Sequence, residues 1–325
     1  PLGGGPTTPA LVTAATEAGA LGVLAGAYKT AAEMTAEIEQ VRACTVEPFG
    51  VNVFVPGAPT EHPEELRQYL DSLRGDADML GAELGEPAFG DDDWAAKLGA
   101  LLAGAPPLVS FTFGCPPREV AEALSAKGVV VAVTVTSAEE ARTAAEAGAG
   151  LLCVQGSEAG AHRGCFRNDL VAGEGTELIE LLAAVSAVTR LPLIGAGGIM
   201  TAGGVKEVLG AGAVAAQCGT AFLRCDESGA HPTHKDALAS GRFRATAVTR
   251  AFSGRPARGL ANRFVTDHPG APPAYPEINS ATRPLRAAAA ASADVEHMSL
   301  WAGTGFAEAR SGPAGEIVEL LTPRR

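Results

Sequence analysis

A chain of 325 residues, 46% hydrophobic and 19% charged, can fill one large core, and a single α/β barrel of roughly 250 residues would take up most of it without a second domain. Lys and Arg number 25 and Asp and Glu 37, and the resulting net charge of −12 argues against nucleic acid or an anionic membrane as partner. No apolar run approaches the roughly 20 residues of a bilayer span, and the six cysteines contain no Cys-x-x-Cys pair, so no zinc knuckle or redox dithiol is signalled and reduced, cytoplasmic thiols are expected.

The first six residues, Pro1 to Pro6, read as the loop that follows a strand. The first barrel strand is therefore expected before Pro1. After that loop, apolar runs bounded by glycine alternate with Ala/Glu-rich amphipathic stretches. Strands are predicted at Leu21–Ala25, Phe49–Phe54, Leu108–Phe113, Val129–Thr134, Gly150–Gln155, Leu191–Gly195 and Ala213–Gln217. Helices are predicted at Pro9–Ala20, Thr30–Cys44, Pro63–Leu73, Pro116–Ala126, Ser137–Ala147, Glu177–Thr189 and Thr201–Leu209. Uninterrupted apolar strands suit a parallel sheet buried on both faces. The fold class is thus α/β, a (β/α)8 TIM barrel, with an open doubly wound sheet as the alternative. Ser137 with Glu140 reads as a capping box, Thr201 as a helix cap, and Gly148 as a helix terminator. Gly85–Gly104 lengthens one connection and adds a helix. Past Leu223 the alternation stops. There His231–Gly241, Arg283–Ala293 and Gly315–Leu321 read as helices, and Arg242–Arg263 as a basic stretch rich in Phe, Gly and Pro. Residues 1–224 are read as the barrel and 225–325 as a cap on its mouth.

Barrel enzymes carry their chemistry at the carboxyl ends of the strands. The polar or glycine residues at those ends are Asn52, Thr112, Gln155, Gly197-Gly198 and Gln217-Cys218-Gly219-Thr220. Gly195-Ala-Gly-Gly-Ile199 opens onto a helix, and Gly219-Thr220 follows the next strand. Glycine lets backbone N–H groups approach phosphate oxygens, and a helix N-terminus favours the anion. Two such turns after the last two strands read as a phosphate site; the competing reading is tight turns alone. A second constellation, Gln155 through Gly164, presents Glu158, His162 and Arg163 on a glycine-rich loop. His162 suits a general base near neutral pH or a partner for an anionic substrate. Arg163 is read as a possible partner of Glu158, and the Gln155 amide suits a flavin edge. The basic stretch Thr249–Gly259 has two readings: contact with phosphate or substrate, or a tether of the cap through carboxylate pairs. His231, His234, His268 and His297 are read as having no role.

These segments resemble the nitronate monooxygenases, formerly called 2-nitropropane dioxygenases. The likeness is carried by Gly3-Gly-Gly-Pro-Thr-Thr-Pro9, Leu21–Lys29, Pro48–Phe54, Gln155–Gly164, Gly195–Met200, Gln217–Leu223, Phe252–Arg258 and Leu300-Trp-Ala-Gly303. The resemblance implies an FMN-dependent oxidation of alkyl nitronates, with nitroalkanes as a further candidate substrate, by O2 to a carbonyl compound and nitrite. Neither metal nor nicotinamide is implied. Carried over by motif, His162 matches the active-site histidine. Asn52, Gln155, Gly160, Gly197, Gln217, Gly219 and Thr220 match flavin-contacting positions, with Gly198 beside them. Leu2, Gly3 and Gly4 match the first flavin loop, and Tyr28-Lys29 a motif of uncertain role. The partners implied are a small-molecule substrate and O2, and a homodimer is compatible. Three departures concern the cavity: Ala161 stands where the family has glycine, Thr304 where glutamine is common, and Pro1-Leu-Gly-Gly4 where Ala-Pro-Met-Ala is usual. The rival activities are an FMN-dependent enoyl-acyl-carrier-protein reductase using NAD(P)H and a flavin-binding protein without catalysis.

Overall fold

The computed structural model describes residues 1–168 and 175–324. Ten strands occur among them: β1 (Val23–Ala25), β2 (Gly50–Phe54), β3 (Leu108–Thr112), β4 (Val130–Val135), β5 (Leu151–Gln155), β6 (Ala161–His162), β7 (Leu193–Ala196), β8 (Ala215–Gln217), β9 (Thr246–Thr249) and β10 (Ala257–Leu260). Seven form one parallel sheet in the order β1-β2-β3-β4-β5-β7-β8, which is chain order. Each predicted strand is present. Sequential β/α/β steps place each strand beside the previous one, as in an α/β barrel. The expected strand before Pro1 lies outside the described residues.

The helices are α1 (Pro9–Glu17), α2 (Ala31–Cys44), α3 (Pro63–Ser72), α4 (Arg74–Met79), α5 (Trp94–Gly104), α6 (Arg118–Ser125), α7 (Ala138–Glu146), α8 (Leu178–Ser186), α9 (Ala202–Gly210), α10 (Pro232–Ala239), α11 (Arg263–Asp267), α12 (Glu277–Ala281), α13 (Arg283–Ala291) and α14 (Ala314–Leu321). Their starts follow local chemistry. Thr30 and Glu33 make a reciprocal capping box at α2, and the Thr201 hydroxyl accepts the Gly204 N–H at α9. The box expected at α7 is only half present. Ser137 accepts the Glu140 N–H, but the Glu140 carboxylate takes the N–H groups of Thr136 and Phe166 instead. Gly148, with φ +92, ends that helix as expected.

The main core lies between the sheet and its helices. Val51, Val53, Phe111, Val133, Leu152 and Val154 from the strands meet Met34, Leu101, Leu124 and Leu182 from the helices. A second core joins α3 and α4 (Leu66, Tyr69, Leu73) to Phe252, Phe264, Ile278 and Leu285. The β2–β3 connection and the last hundred residues therefore share a core. The final helix, α14, returns to the barrel against α1 and α9. The basic stretch, for which no element was predicted, contributes two strands to a small antiparallel sheet, β6-β10-β9. No helix among the described residues is long and apolar enough to cross a membrane. All six cysteines are free thiols, as expected, although Cys44 is exposed.

Candidate active site

His162 is placed by pairing between the barrel loop and the strand that follows the barrel. The loop after β5 rises from the sheet and forms β6, whose Ala161 and His162 face Arg258 and Ala257 of β10 in antiparallel register. Gln155, the last residue of β5, braces this loop: its amide nitrogen donates to the His162 carbonyl at 3.0 Å, and its amide oxygen accepts the Gly164 N–H at 2.7 Å. Both ends of the Gln155 amide are thus committed to the loop. Ala161 sits at φ 61, a left-handed conformation that crowds any Cβ. Gly160 fills a different need. A Cβ there would stand 2.5 Å from the Ala302 carbonyl carbon and the Gly303 nitrogen, so only glycine lets that segment dock.

The imidazole has a defined tautomer. Its Nε2 lies 2.9 Å from the Ser253 hydroxyl, which donates its one hydrogen to the Arg255 carbonyl at 3.1 Å and accepts the Arg255 N–H at 3.3 Å. With the Ser253 hydrogen on the Arg255 carbonyl, Ser253 accepts from His162; this assignment puts the ring proton on Nε2 and leaves the Nδ1 lone pair for a ligand. Three aromatic groups stand around the ring: Phe113 at 5.9 Å, Tyr275 at 5.5 Å and Trp301 at 5.8 Å between centroids, with Phe54 beyond, 4.4 Å from Phe113. Burial in these dry walls, followed by the charges of Arg255 and Arg286, lowers the His162 pKa from 6.5 to about 3. The ring is neutral at physiological pH.

Among the described residues, Arg255 and Arg258 do not act as carboxylate tethers. Arg255, 5% exposed, donates to the Cys165 carbonyl, stacks 3.8 Å over the Phe113 ring, and leaves its buried Nε without an acceptor. Arg258 donates to the Ser157 carbonyl at 2.9 Å and to Thr246 at 3.0 Å. Arg286 donates to Thr282 and Asn279. Arg163 is buried and donates to the carbonyls of Gly156 and Gln155 rather than to Glu158, whose carboxylate instead accepts the Leu178 N–H at the start of α8. Among the described residues, no carboxylate pairs with Arg255 or Arg286.

The turns after β7 and β8 lie on one side of the molecule and share a neighbour. Gly303 donates its N–H to the Thr220 hydroxyl at 2.9 Å, and a Cβ on Gly198 would stand 3.3 Å from the Thr304 hydroxyl. Gly197 and Gly198 have φ of +136 and +66. Among the described residues, no acceptor takes the N–H groups of Gly197, Gly198, Gly219 or Thr220. The Leu2 side chain reaches Gly219, and Gly3 lies against Tyr28, which brings the Leu2–Gly4 loop to the same mouth. Asn52, buried in β2, donates to Ser110 and Thr112, and its side-chain oxygen has no partner among the described residues. Gln217 ends β8, half-buried, beside these turns.

Sequence reasoning missed Ser253, Tyr275, Trp301 and Arg286 as parts of the site. They reach His162 only through tertiary packing, and only the Phe252–Arg258 and Leu300–Gly303 motifs hinted at them. Elsewhere, His268 and His297, read as without role, bracket Asp76 at 2.9 and 3.3 Å.

The family model described as nitronate monooxygenase matches residues 1–324. A nitronate monooxygenase from Pseudomonas aeruginosa is 41% identical over 334 residues, spanning 98% of this chain and 92% of its own. Among solved structures, a nitroalkane oxidase from Streptomyces ansochromogenes matches with TM-score 0.95 and 47% identity, over 99% of this chain and 92% of its own. FabK from Thermotoga maritima is more distant, with TM-score 0.70 and 25% identity, over 98% of this chain and 89% of its own.

Proposed function

The chain belongs to the nitronate monooxygenase family, and on that premise we propose that it oxidises alkyl nitronates, and nitroalkanes through their nitronates, with O2, to a carbonyl compound and nitrite. The observation that carries this reading is the pair of guanidinium groups, buried Arg255 and half-buried Arg286, that after burial depress His162 and have no carboxylate partner among the described residues. A buried cation without a counter-charge is costly, and an anion held beside His162 relieves that cost. A nitronate is such an anion; a neutral nitroalkane is not.

The residues fit FMN. The free N–H groups of Gly197, Gly198, Gly219 and Thr220 suit its phosphate, and the glycine conformations leave room for close approach. Asn52, Gln155, Gly160, Gln217 and the Leu2–Gly4 loop would hold or flank the rest. When bound, FMN supplies the electron transfer between substrate and O2. The protein's own residues do the remainder. His162 Nδ1, with its lone pair free, takes the α-proton of a nitroalkane. Ser253 fixes the tautomer that makes Nδ1 the basic atom. Arg255 and Arg286 hold the resulting anion, and the aromatic walls exclude water. Residues 225–325 serve as the cap over this site.

The test is the visible absorbance of purified protein before and after anaerobic addition of propyl-2-nitronate. Yellow protein that bleaches with the nitronate is expected. Bleaching with NADPH and not with the nitronate would favour the reductase instead, and protein that binds no FMN would overturn the reading.

A further inference from the structure

Lys97 is the largest fully buried charged side chain, 1% exposed on α5, and it lies away from every residue given a role above. Its partner is Asp92, with Nζ 2.7 Å from Oδ2. Removing both charges from water is penalised, so the pair is weak support for stability. Its geometry points to another use. The second Asp92 oxygen accepts the Tyr28 N–H at 2.8 Å, and the neighbouring Asp93 accepts the Ala31 N–H at 2.7 Å. Asp92 and Asp93 have φ of 58 and 57, so the turn is folded tightly onto the loop after β1.

Tyr28 is held in an unfavourable shape. Its φ is 61, a conformation that bulky residues avoid unless their surroundings impose it. That shape carries the ring edge-on to Phe54 at 5.7 Å and brings its hydroxyl within 3.1 Å of the Tyr275 hydroxyl, which donates to it. Tyr275 in turn packs against His162 and Phe113. Because Tyr28 accepts from Tyr275, its own hydrogen has no protein acceptor among the described residues. The order of contacts is Lys97, Asp92, Tyr28, Tyr275, His162.

We propose that Asp92, neutralised by Lys97, is a positioning residue for substrate binding: it fixes the left-handed Tyr28 so that the Tyr28 and Tyr275 phenols together wall the substrate space beside His162, with the Tyr28 hydroxyl donating to a nitro or nitronate oxygen. This inference rests on the nitronate reading. A contact made equally to substrate and transition state governs KM more than kcat.

Two double variants of the full chain, loaded with FMN, separate this role from mere stability. Asp92→Asn/Lys97→Met removes the ion pair but keeps an acceptor for the Tyr28 N–H. Asp92→Ala/Lys97→Met removes both. With propyl-2-nitronate and O2, the Ala pair should raise KM about tenfold over the Asn pair, with kcat nearly matched. In a Tyr28→Ala background that difference should vanish. Crystal structures of the two pairs should show Tyr28 left-handed and bonded to Tyr275 in the Asn pair, and released in the Ala pair. Equal KM in the two pairs, additivity with Tyr28→Ala, or an unmoved Tyr28 in the Ala pair overturns the proposal. If the wild type turns over no nitronate, the functional reading fails on its own, while the crystal structures still decide whether Asp92 positions Tyr28.

Discussion

Adding a methyl group at residue 160 and removing one at residue 161 should move stability in opposite directions. At Gly160 a methyl carbon would stand 2.5 Å from two backbone atoms of residues 302 and 303. Neither atom can swing aside, because Ala302 donates its N–H to the Arg258 carbonyl at 3.2 Å and Gly303 donates its own to Thr220 at 2.9 Å. Overpacking of that kind costs about 1–3 kcal/mol. Ala161 is the converse case. At φ 61 its Cβ crowds the following carbonyl, a penalty of about 1–2 kcal/mol that glycine does not suffer. Glycine returns about 0.5–1 kcal/mol of this through its greater freedom in the unfolded chain. Ala161→Gly should therefore stabilise by about 0.5–1 kcal/mol, and Gly160→Ala should destabilise by about 1–3 kcal/mol. Urea unfolding of the protein without and with saturating FMN reads both, as midpoint shifts in opposite directions at unchanged slope. An Ala161→Gly midpoint below wild type, or a Gly160→Ala midpoint equal to it, would refute the account of the loop.

Three further outcomes follow from the same geometry. His162 has its pKa lowered to about 3 from 6.5, so the folded state disfavours the protonated ring; its contribution is whole above pH 6.5 and is lost as pH falls toward 3. Urea midpoints of wild type should accordingly fall more steeply below pH 6.5 than those of His162→Gln, and parallel curves would contradict the cause assigned. Ser253→Ala leaves the His162 Nε2–H without its acceptor and frees the tautomer, so kcat on a neutral nitroalkane should drop about tenfold while kcat on the preformed nitronate changes far less. Equal losses on both substrates would remove Nδ1 from proton transfer. Arg286→Met deletes one of two unbalanced cations, and KM for the nitronate should rise about tenfold with little change for the nitroalkane. A matching rise for both would mean that charge is not what Arg286 supplies.

The strands and helices of the barrel were legible because their periodicity is local. Leu152 through Val154 or Val131 through Val133 are apolar and buried on both faces, which only a doubly covered parallel sheet requires. His162 and the turns at Gly197 and Gly219 were legible because a barrel places strand ends on one face. The small antiparallel sheet was not. Ala257–Leu260 reads Ala-Arg-Gly-Leu, without alternation or β-branched side chains, and becomes a strand because β6 and β9 supply its hydrogen bonds. The arginines were open to two readings for a related reason. Sequence shows charge but not partners, and backbone carbonyls, which every residue carries, accept from Arg255, Arg258 and Arg163 where carboxylates had been offered as one alternative.

The distribution of strained backbone unites the site. Six non-glycine residues among those described have left-handed φ, and five of them, Tyr28, Asp92, Asp93, Phe113 and Ala161, belong to the walls of the His162 site or to the turn that holds Tyr28. Each such residue costs on the order of 1–3 kcal/mol and persists only where its surroundings over-determine it. The surroundings do so here: Asp92 holds the Tyr28 N–H, Arg255 stacks on Phe113, and the register with Arg258 pins Ala161. A ring of aromatic side chains set on strained backbone has few alternative arrangements once the cap segments dock. In the proposed reaction, His162 Nδ1 would then meet its substrate in a space whose shape is fixed before binding, which limits the reorganisation left for the reaction itself.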